Sequence, residues 1–278
     1  MIELISLIIL FLGLVYASYY DLKTTEIPDL FAYIFLALAL FLFFFYGYLN
    51  NFNNFLNNFF ISLTISLIGF LMYFFGQWGL GDSFLLAASS FYLFFKIPKS
   101  FLIYSQLDFF TNVIIVGAFY IPIYMLPKFL RDKKAKNFFI LSVKKNFVKN
   151  IFLIIITLIV FLSISFLFFN QFLIKPAIFI LTFSLFLTLL LFYLKSCEKI
   201  LIKKILVKNL KPGDVLLESK RWDGIDKECI ERIKRSGKKY VYIKNGVAFS
   251  PVFLISLVIT LLYGNLYFHI LRIFFFLL

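Results

Sequence analysis

The chain has very little histidine or cysteine, the residues that most often hold transition metals. It has one histidine, His269, and two cysteines, Cys197 and Cys229, in 278 residues. The cysteines form no CxxC, which excludes a cysteine zinc site and gives no sign of a disulfide framework. His269 lies in the last apolar segment, far from any other ligand type, and reads as a packing or interfacial histidine. No cofactor and no metal are expected. Acidic residues are scarce too, 14 against 28 basic ones. No cleavable signal peptide is expected, because the first apolar run passes into Asp21-Leu22-Lys23 without a small-residue cleavage site.

Apolar residues dominate instead. They make up 62% of the chain, 42 of them phenylalanine, and mean hydropathy is +0.96. A soluble domain holds roughly 45–50%. The fold class is therefore an α-helical polytopic membrane protein. Apolar runs at Ile2–Tyr20, Leu30–Leu49, Phe59–Phe75, Ser83–Phe95, Phe109–Leu126, Ile151–Phe169, Pro176–Leu194 and Pro251–Leu278 give about eight transmembrane helices. The fourth is short, roughly 20 Å as a helix, and charge decides whether it crosses. If all eight cross with the N-terminus outside, every basic residue except Lys96, Lys99, Lys175 and Arg272 faces the cytoplasm. A re-entrant fourth segment destroys that asymmetry, so the positive-inside rule favours eight crossings in a plasma membrane, with both termini outside. The net charge of +14 then reflects topology and attraction to anionic lipid of the inner leaflet, not nucleic acid.

The expected divisions are a membrane core at 1–126, a basic cytoplasmic loop at 127–150, two further spans at 151–194, a small cytoplasmic α+β domain at 195–250 and a final span at 251–278. The polar, uncharged connection Asn50–Asn58 suits an external loop. The basic loop alternates with Phe138, Phe139, Ile140 and Leu141, which predicts a short amphipathic helix on the inner leaflet. In the small domain, Lys211-Pro212-Gly213-Asp214 is a turn leading into strand-like Val215–Leu217. Asp226 is a candidate N-cap for a helix over Lys227–Arg235 that Gly237 ends. Asn245-Gly246 predicts a hairpin between 239–244 and 247–249.

Two carboxylates stand out against this background. Asp21 ends the first helix and Asp82 begins the fourth, in Gly79-Leu80-Gly81-Asp82. The parity of the crossings puts both at the cytoplasmic edge. A carboxylate at the end of an apolar helix is a functional-site hypothesis by default, although Asp82 could also serve as a helix cap. Facing carboxylates cannot both ionise cheaply, so one keeps a proton. Such a pair can activate water and protonate a leaving group without a metal or nucleophile. Gly79 and Gly81 permit a tight turn and close approach. Pro28 and Asp29 start the second helix as proline and cap. Trp78 and Tyr20 read as interfacial anchors or as borders of the site.

Asp21-Leu22-Lys23-Thr24-Thr25-Glu26-Ile27-Pro28-Asp29 and Gly79-Leu80-Gly81-Asp82 together resemble the paired signatures of type IV prepilin and archaeal preflagellin (archaellin) peptidases. The likeness is clear from Met1 to about Leu126 and weaker at Phe249-Ser250-Pro251. It implies an aspartyl endopeptidase that cuts class III signal peptides of archaellin or pilin-like precursors at the cytoplasmic membrane face, with Asp21 and Asp82 as the catalytic pair. On that reading Glu26, and less so Asp29, would meet the basic residues preceding the cut. Many relatives have lysine two residues after the GxGD aspartate; here it is Phe84. The zinc-binding cysteine loop associated with N-methylation is absent, so methyl transfer is not expected.

Two other readings remain at this stage. A presenilin-like or signal-peptide-peptidase-like protease also uses GxGD, and Tyr20-Asp21 echoes its YD motif. Its Pro-Ala-Leu would have to be Pro176-Ala177-Ile178, which falls on the external side. A scaffold or transporter could use the same aspartates to bind a cation, but such residues usually lie near the midplane on broken helices.

Overall fold

The structure, a computed structural model, describes residues 1–49, 52–169 and 174–277. Ten α-helices and two short strands are present among them: α1 (Ile2–Thr24), α2 (Asp29–Leu49), α3 (Phe52–Phe74), α4 (Leu80–Tyr92), α5 (Ser105–Arg131), α6 (Lys133–Phe169), α7 (Ile174–Leu201), β1 (Ile202–Leu206), α8 (Lys227–Arg235), β2 (Tyr240–Lys244), α9 (Ser250–Tyr263) and α10 (Leu266–Leu277). Six helices are long and apolar enough to cross a membrane, or seven if the bent pair α9–α10 counts as one span. The protein is an α-helical polytopic membrane protein. It divides into two compact units, 1–121 with 202–272, and 122–201 with 273–278.

The first unit is built around α4. With 13 residues it is shorter than the roughly 20 a straight span needs, yet it runs the depth of its unit. Its start lies against the loop that follows Asp21, where Ile27 meets Gly81. Its last residue lies beside the start of α1, where the Ser6 hydroxyl donates to the Tyr92 carbonyl at 2.8 Å. Along α1, Ser6 and Asp21 are separated by about 22 Å at 1.5 Å per residue. Every residue from Ser83 to Phe94 except Phe84 is buried, as expected of a helix that is apolar all round and enclosed. Small residues let the neighbours close in: Ser83 donates to the Gly69 carbonyl at 2.8 Å and Ser62 to the Ser90 carbonyl at 2.9 Å. Leu10, Leu14, Phe35, Phe43, Ile65, Phe109 and Phe253 complete this core.

The far end of the unit is fastened by a buried polar network. The predicted single C-terminal span breaks at Gly264-Asn265, where α9 and α10 bend by 64°. Gly264 has φ +74°. The amide of Asn112 donates to Thr260 Oγ1 at 2.8 Å and to the Gly264 carbonyl at 2.7 Å, and its oxygen accepts from the Leu266 N–H at 2.9 Å. Asn265 donates to Asp108 at 2.7 Å, and Asp108 also accepts from the Ser100 hydroxyl. Asn112→Leu strands a buried carbonyl and an N–H, so stability falls by about 1–3 kcal/mol. Thermal unfolding in detergent measures this as a lowered midpoint.

The small α+β portion, 202–249, belongs to this same unit. β1 and β2 pair antiparallel, Ile202 opposite Lys244 and Leu206 opposite Tyr240. The hairpin expected at Asn245-Gly246 does not form, because β2 takes β1 on one edge and Val215–Leu217 on the other. On that second edge the Leu217 N–H donates to the Tyr242 carbonyl and the Lys244 N–H to the Val215 carbonyl, both at 2.9 Å. Helix α8 has the expected bounds, and Asp226 caps it by accepting from the Cys229 N–H at 2.7 Å. Val207, Leu210, Ile230 and Ile243 form its small core.

In the second unit α6 and α7 pack together, and Tyr193 donates to the Pro122 carbonyl at 2.8 Å. The basic stretch at 127–150 is helical, forming the end of α5 and the first half of α6. It is continuous with the following span rather than a separate surface helix. Asp132 caps α6 through the N–H groups of Lys134 and Ala135. The asparagine-rich connection is largely the first turns of α3; its Asn50-Asn51 lie outside the described residues.

Candidate active site

Asp21 sits in the last turn of α1. The helix ends at Thr25, which adopts the left-handed conformation (φ 60°) and donates its N–H to the Asp21 carbonyl at 2.7 Å. The Asp21 side chain points inward and is 4% exposed. Its Oδ2 accepts from the backbone N–H of Ser250 at 2.7 Å. Ser250 is the first residue of α9, followed by Pro251, so this N–H is one that the helix leaves without a partner. The helix dipole also favours a carboxylate there.

Asp82 is the third residue of α4. Gly79 is the N-cap, and its N–H donates back to Asp82 Oδ2 at 3.3 Å. The side chain is half-buried. The two motifs meet directly through Ile27 and Gly81. A Cβ placed on Gly81 would lie 2.9 Å from both Cβ and Cδ1 of Ile27, so the glycine is what allows the loop after Asp21 to rest on the start of α4. Trp78 borders the site, with its ring 5.4 Å from Phe249 and 5.9 Å from Phe253.

Glu26 and Pro28 lie in the loop that follows α1, and Asp29 opens α2. Pro28 provides the carbonyl that accepts from the Ala32 N–H at 3.1 Å. Asp29 is the first helical residue of α2 rather than its cap, an acid where the dipole favours one. Glu26 reaches solvent, but one face of its carboxylate lies against Gly213. Desolvation there, with the charges of Asp29 and Asp214, raises its pKa above the usual glutamate value. Phe84 packs edge-on against Tyr33 and Phe70. Pro176-Ala177-Ile178 belongs to α7, in the other compact unit. Tyr20 stacks obliquely on Tyr16 at 4.8 Å.

Sequence reasoning missed Ser250 as the partner of Asp21. The available signal was Ser250-Pro251 itself, since a proline at the first turn marks a helix start with free N–H groups.

Fold and site together define a polytopic membrane protein that gathers two carboxylates at one end of adjacent helices. Residues 8–122 match the type IV leader peptidase family. The matched segment runs from α1 into α5 and carries both aspartate motifs; 123–278 lies outside it. Over that segment the chain is similar to this family, and the match supports a protease acting on precursors with leader peptides. No characterised protein and no solved structure matched it.

Proposed function

We propose that the chain is an aspartyl endopeptidase that removes the leader of archaellin or type IV pilin-like precursors at the cytoplasmic face of the plasma membrane. The observation that supports this most is the meeting of the two motifs, Ile27 on Gly81, beside a carboxylate pair at one helix end. In this reading the pair shares one proton. The ionised carboxylate takes a proton from water as its oxygen attacks the scissile carbonyl, while the protonated carboxyl donates to the carbonyl oxygen. In the collapse of the tetrahedral species the C–N bond breaks, the carboxyl that took the water's proton passes it to the leaving amine, and the hydroxyl formed from the carbonyl oxygen returns its proton to the other carboxylate. Because the proton is common to the pair, the acid and base roles belong to the dyad as a whole.

The test is cleavage of archaellin and pilin precursors by the protein reconstituted in vesicles. A shortened product from at least one precursor supports the reading, and the faster substrate names the specificity. No cleavage of either class counts against it.

Glu26 supports a further part of the reading: it reads the positive charge ahead of the cut. Its raised pKa gives the sign of a pH effect. As pH falls through that pKa the carboxylate protonates and attraction to lysine is lost. The KM for a lysine-rich leader therefore rises on acidification from a higher pH than the ordinary glutamate value of about 4.3 implies. Glu26→Gln has the high KM at every pH. Equal KM values for the two enzymes at neutral pH would remove the role.

A further inference from the structure

The small α+β portion touches both loops that adjoin the aspartate-bearing helix ends. After α3 the chain turns at Gly76 (φ +69°) and reaches Gly79, the N-cap of α4. On the inside this turn is held by the N–H groups of Gly76, Gln77 and Trp78, which donate to the carbonyls of Tyr73 and Met72. On the outside it is held by the segment 220–223. Trp222 Nε1–H donates to the Gly76 carbonyl at 2.9 Å. The Tyr73 hydroxyl donates to Asp223 Oδ1 at 2.7 Å. The Arg221 guanidinium lies over the Phe74 ring at 4.8 Å. The Lys220 carbonyl is pressed so closely on Gly76 that no Cβ fits there.

The same portion reaches the loop after Asp21. Gly213 lies against the Glu26 carboxylate, and a Cβ on Gly246 would stand 3.8 Å from the Thr25 carbonyl. Four residues past Gly246, Ser250 gives its N–H to Asp21. The element between these contacts is stiff. Gly213 donates to the Ile225 carbonyl at 3.0 Å and Ile225 to the Asp214 carbonyl at 2.9 Å, closing the base of the loop 214–225. Lys244 Nζ donates to the Ser219 carbonyl at 2.9 Å and sits 4.5 Å above the Trp222 ring. Burial lowers the Lys244 pKa, with Asp223 opposing that shift.

We propose that the loop 214–225 is a brace that sets the spacing of the Asp21–Asp82 pair, with Trp222 and Asp223 as positioning residues acting through Gly76 and Tyr73. The proposal rests on the aspartyl reading of that pair. Two carboxylates on separate helix ends work as a dyad only at one spacing, and a short loop adjoins each of them. The loop 214–225 is hydrogen-bonded to the turn before α4, and the same α+β portion contacts the loop after α1 through Gly213 and Gly246, which restricts that freedom. A displacement near 1 Å at a catalytic group lowers turnover by up to about 100-fold, so the brace acts on kcat.

The test compares Tyr73→Phe, Asp223→Ala, Trp222→Phe and Asp223→Asn in vesicles with the wild-type chain. The first three are expected to lower kcat about tenfold with KM within about twofold. Tyr73→Phe combined with Asp223→Ala should lose little more than either alone. Asp223→Asn should restore activity, since the amide oxygen still accepts the Tyr73 hydroxyl. Unchanged kcat in the three variants, or loss explained by less folded protein, overturns the brace.

A second arm needs no substrate. Asp21→Cys and Asp82→Cys are introduced with Cys197→Ser and Cys229→Ser, and the pair is cross-linked with thiol reagents of graded span. Tyr73→Phe or Trp222→Phe should shift the preferred span or slow the reaction several-fold; identical profiles overturn the proposal. If the wild-type chain cleaves no precursor, the aspartyl reading fails while this arm still decides the brace.

Discussion

Asp21→Asn and Asp82→Asn each abolish leader cleavage, with a loss of at least about 10³-fold, and the double variant is no worse than either single one. The substitution isolates chemistry from structure. Asparagine at 21 still presents an oxygen to the Ser250 N–H, and asparagine at 82 still presents one to the Gly79 N–H. Both backbone anchors survive, so helix packing and protein level should not change. What is lost is the proton. An amide cannot take one from water, nor hand one to a carbonyl oxygen or a leaving amine. Because each carboxylate completes the other, removing either removes the pair, and the effects do not add. The assay is precursor cleavage in vesicles at matched protein, with thermal unfolding of each variant alongside. Activity that persists in either variant would make the aspartates structural and return the cation-binding reading to consideration.

The parity of the crossings was the most informative signal in the chain. Placing Asp21 at the end of the first apolar run and Asp82 at the start of the fourth put both at one level, and the structure brings the loop after Asp21 against the start of α4 through Ile27 and Gly81. Hydropathy also located the short α4, although its 13 residues make sense only in context. It is enclosed by α1, α2, α3 and α9 and meets Ser6 at its far end. The bend at Gly264-Asn265 was not legible, because the apolar run continues through it. The break is stabilised by Asn112 and Asp108, which lie more than 150 residues away in sequence. β1 was hidden for a related reason. Ile202–Leu206 follows α7 with no turn residue between them, so nothing local marks the change of period. Asn245-Gly246 then suggested a hairpin whose place was already taken by β1 and Val215–Leu217.

The brace shows the same limit at the level of function. Lys220-Arg221-Trp222-Asp223 interleaves charges of both signs, the ordinary pattern of a solvated face. The chain has only two tryptophans, and both border the turn before α4: Trp78 packs on Phe249 and Trp222 bonds to Gly76. A tryptophan in an otherwise charged stretch was the usable sign, since its ring and N–H both need partners. The partner could not be named from sequence, because the contact spans 146 positions.

Gly81→Ala sets two effects of opposite sign against each other, and the larger decides the outcome. Gly81 is helical, in the first turn of α4, and alanine is favoured over glycine in a helix interior by about 1 kcal/mol. On propensity alone the variant would be somewhat more stable. The new Cβ, however, lies 2.9 Å from the Cβ of Ile27, a position no side-chain rotation can change, and 2.9 Å from its Cδ1. Relief requires the loop 25–28 to move off α4, and Asp21 lies in the helical turn just before that loop. Misplacement at a catalytic group outweighs propensity, so Gly81→Ala is expected to lower kcat by about 10- to 100-fold while the protein stays folded. Gly81→Val should be worse. Ile27→Ala removes the Cγ1 and Cδ1 contacts and leaves only the Cβ, so adding it to Gly81→Ala should recover part of the loss. The contrast with Gly79 sharpens the test. That residue has ordinary dihedrals (φ −72°, ψ 157°), and a Cβ there meets only Asp82 Oδ2 at 3.3 Å. Ile27→Ala should therefore do nothing for Gly79→Ala. Steady-state cleavage by the four single and double variants measures this, and rescue at 81 without rescue at 79 would tie the two motifs together through a single contact.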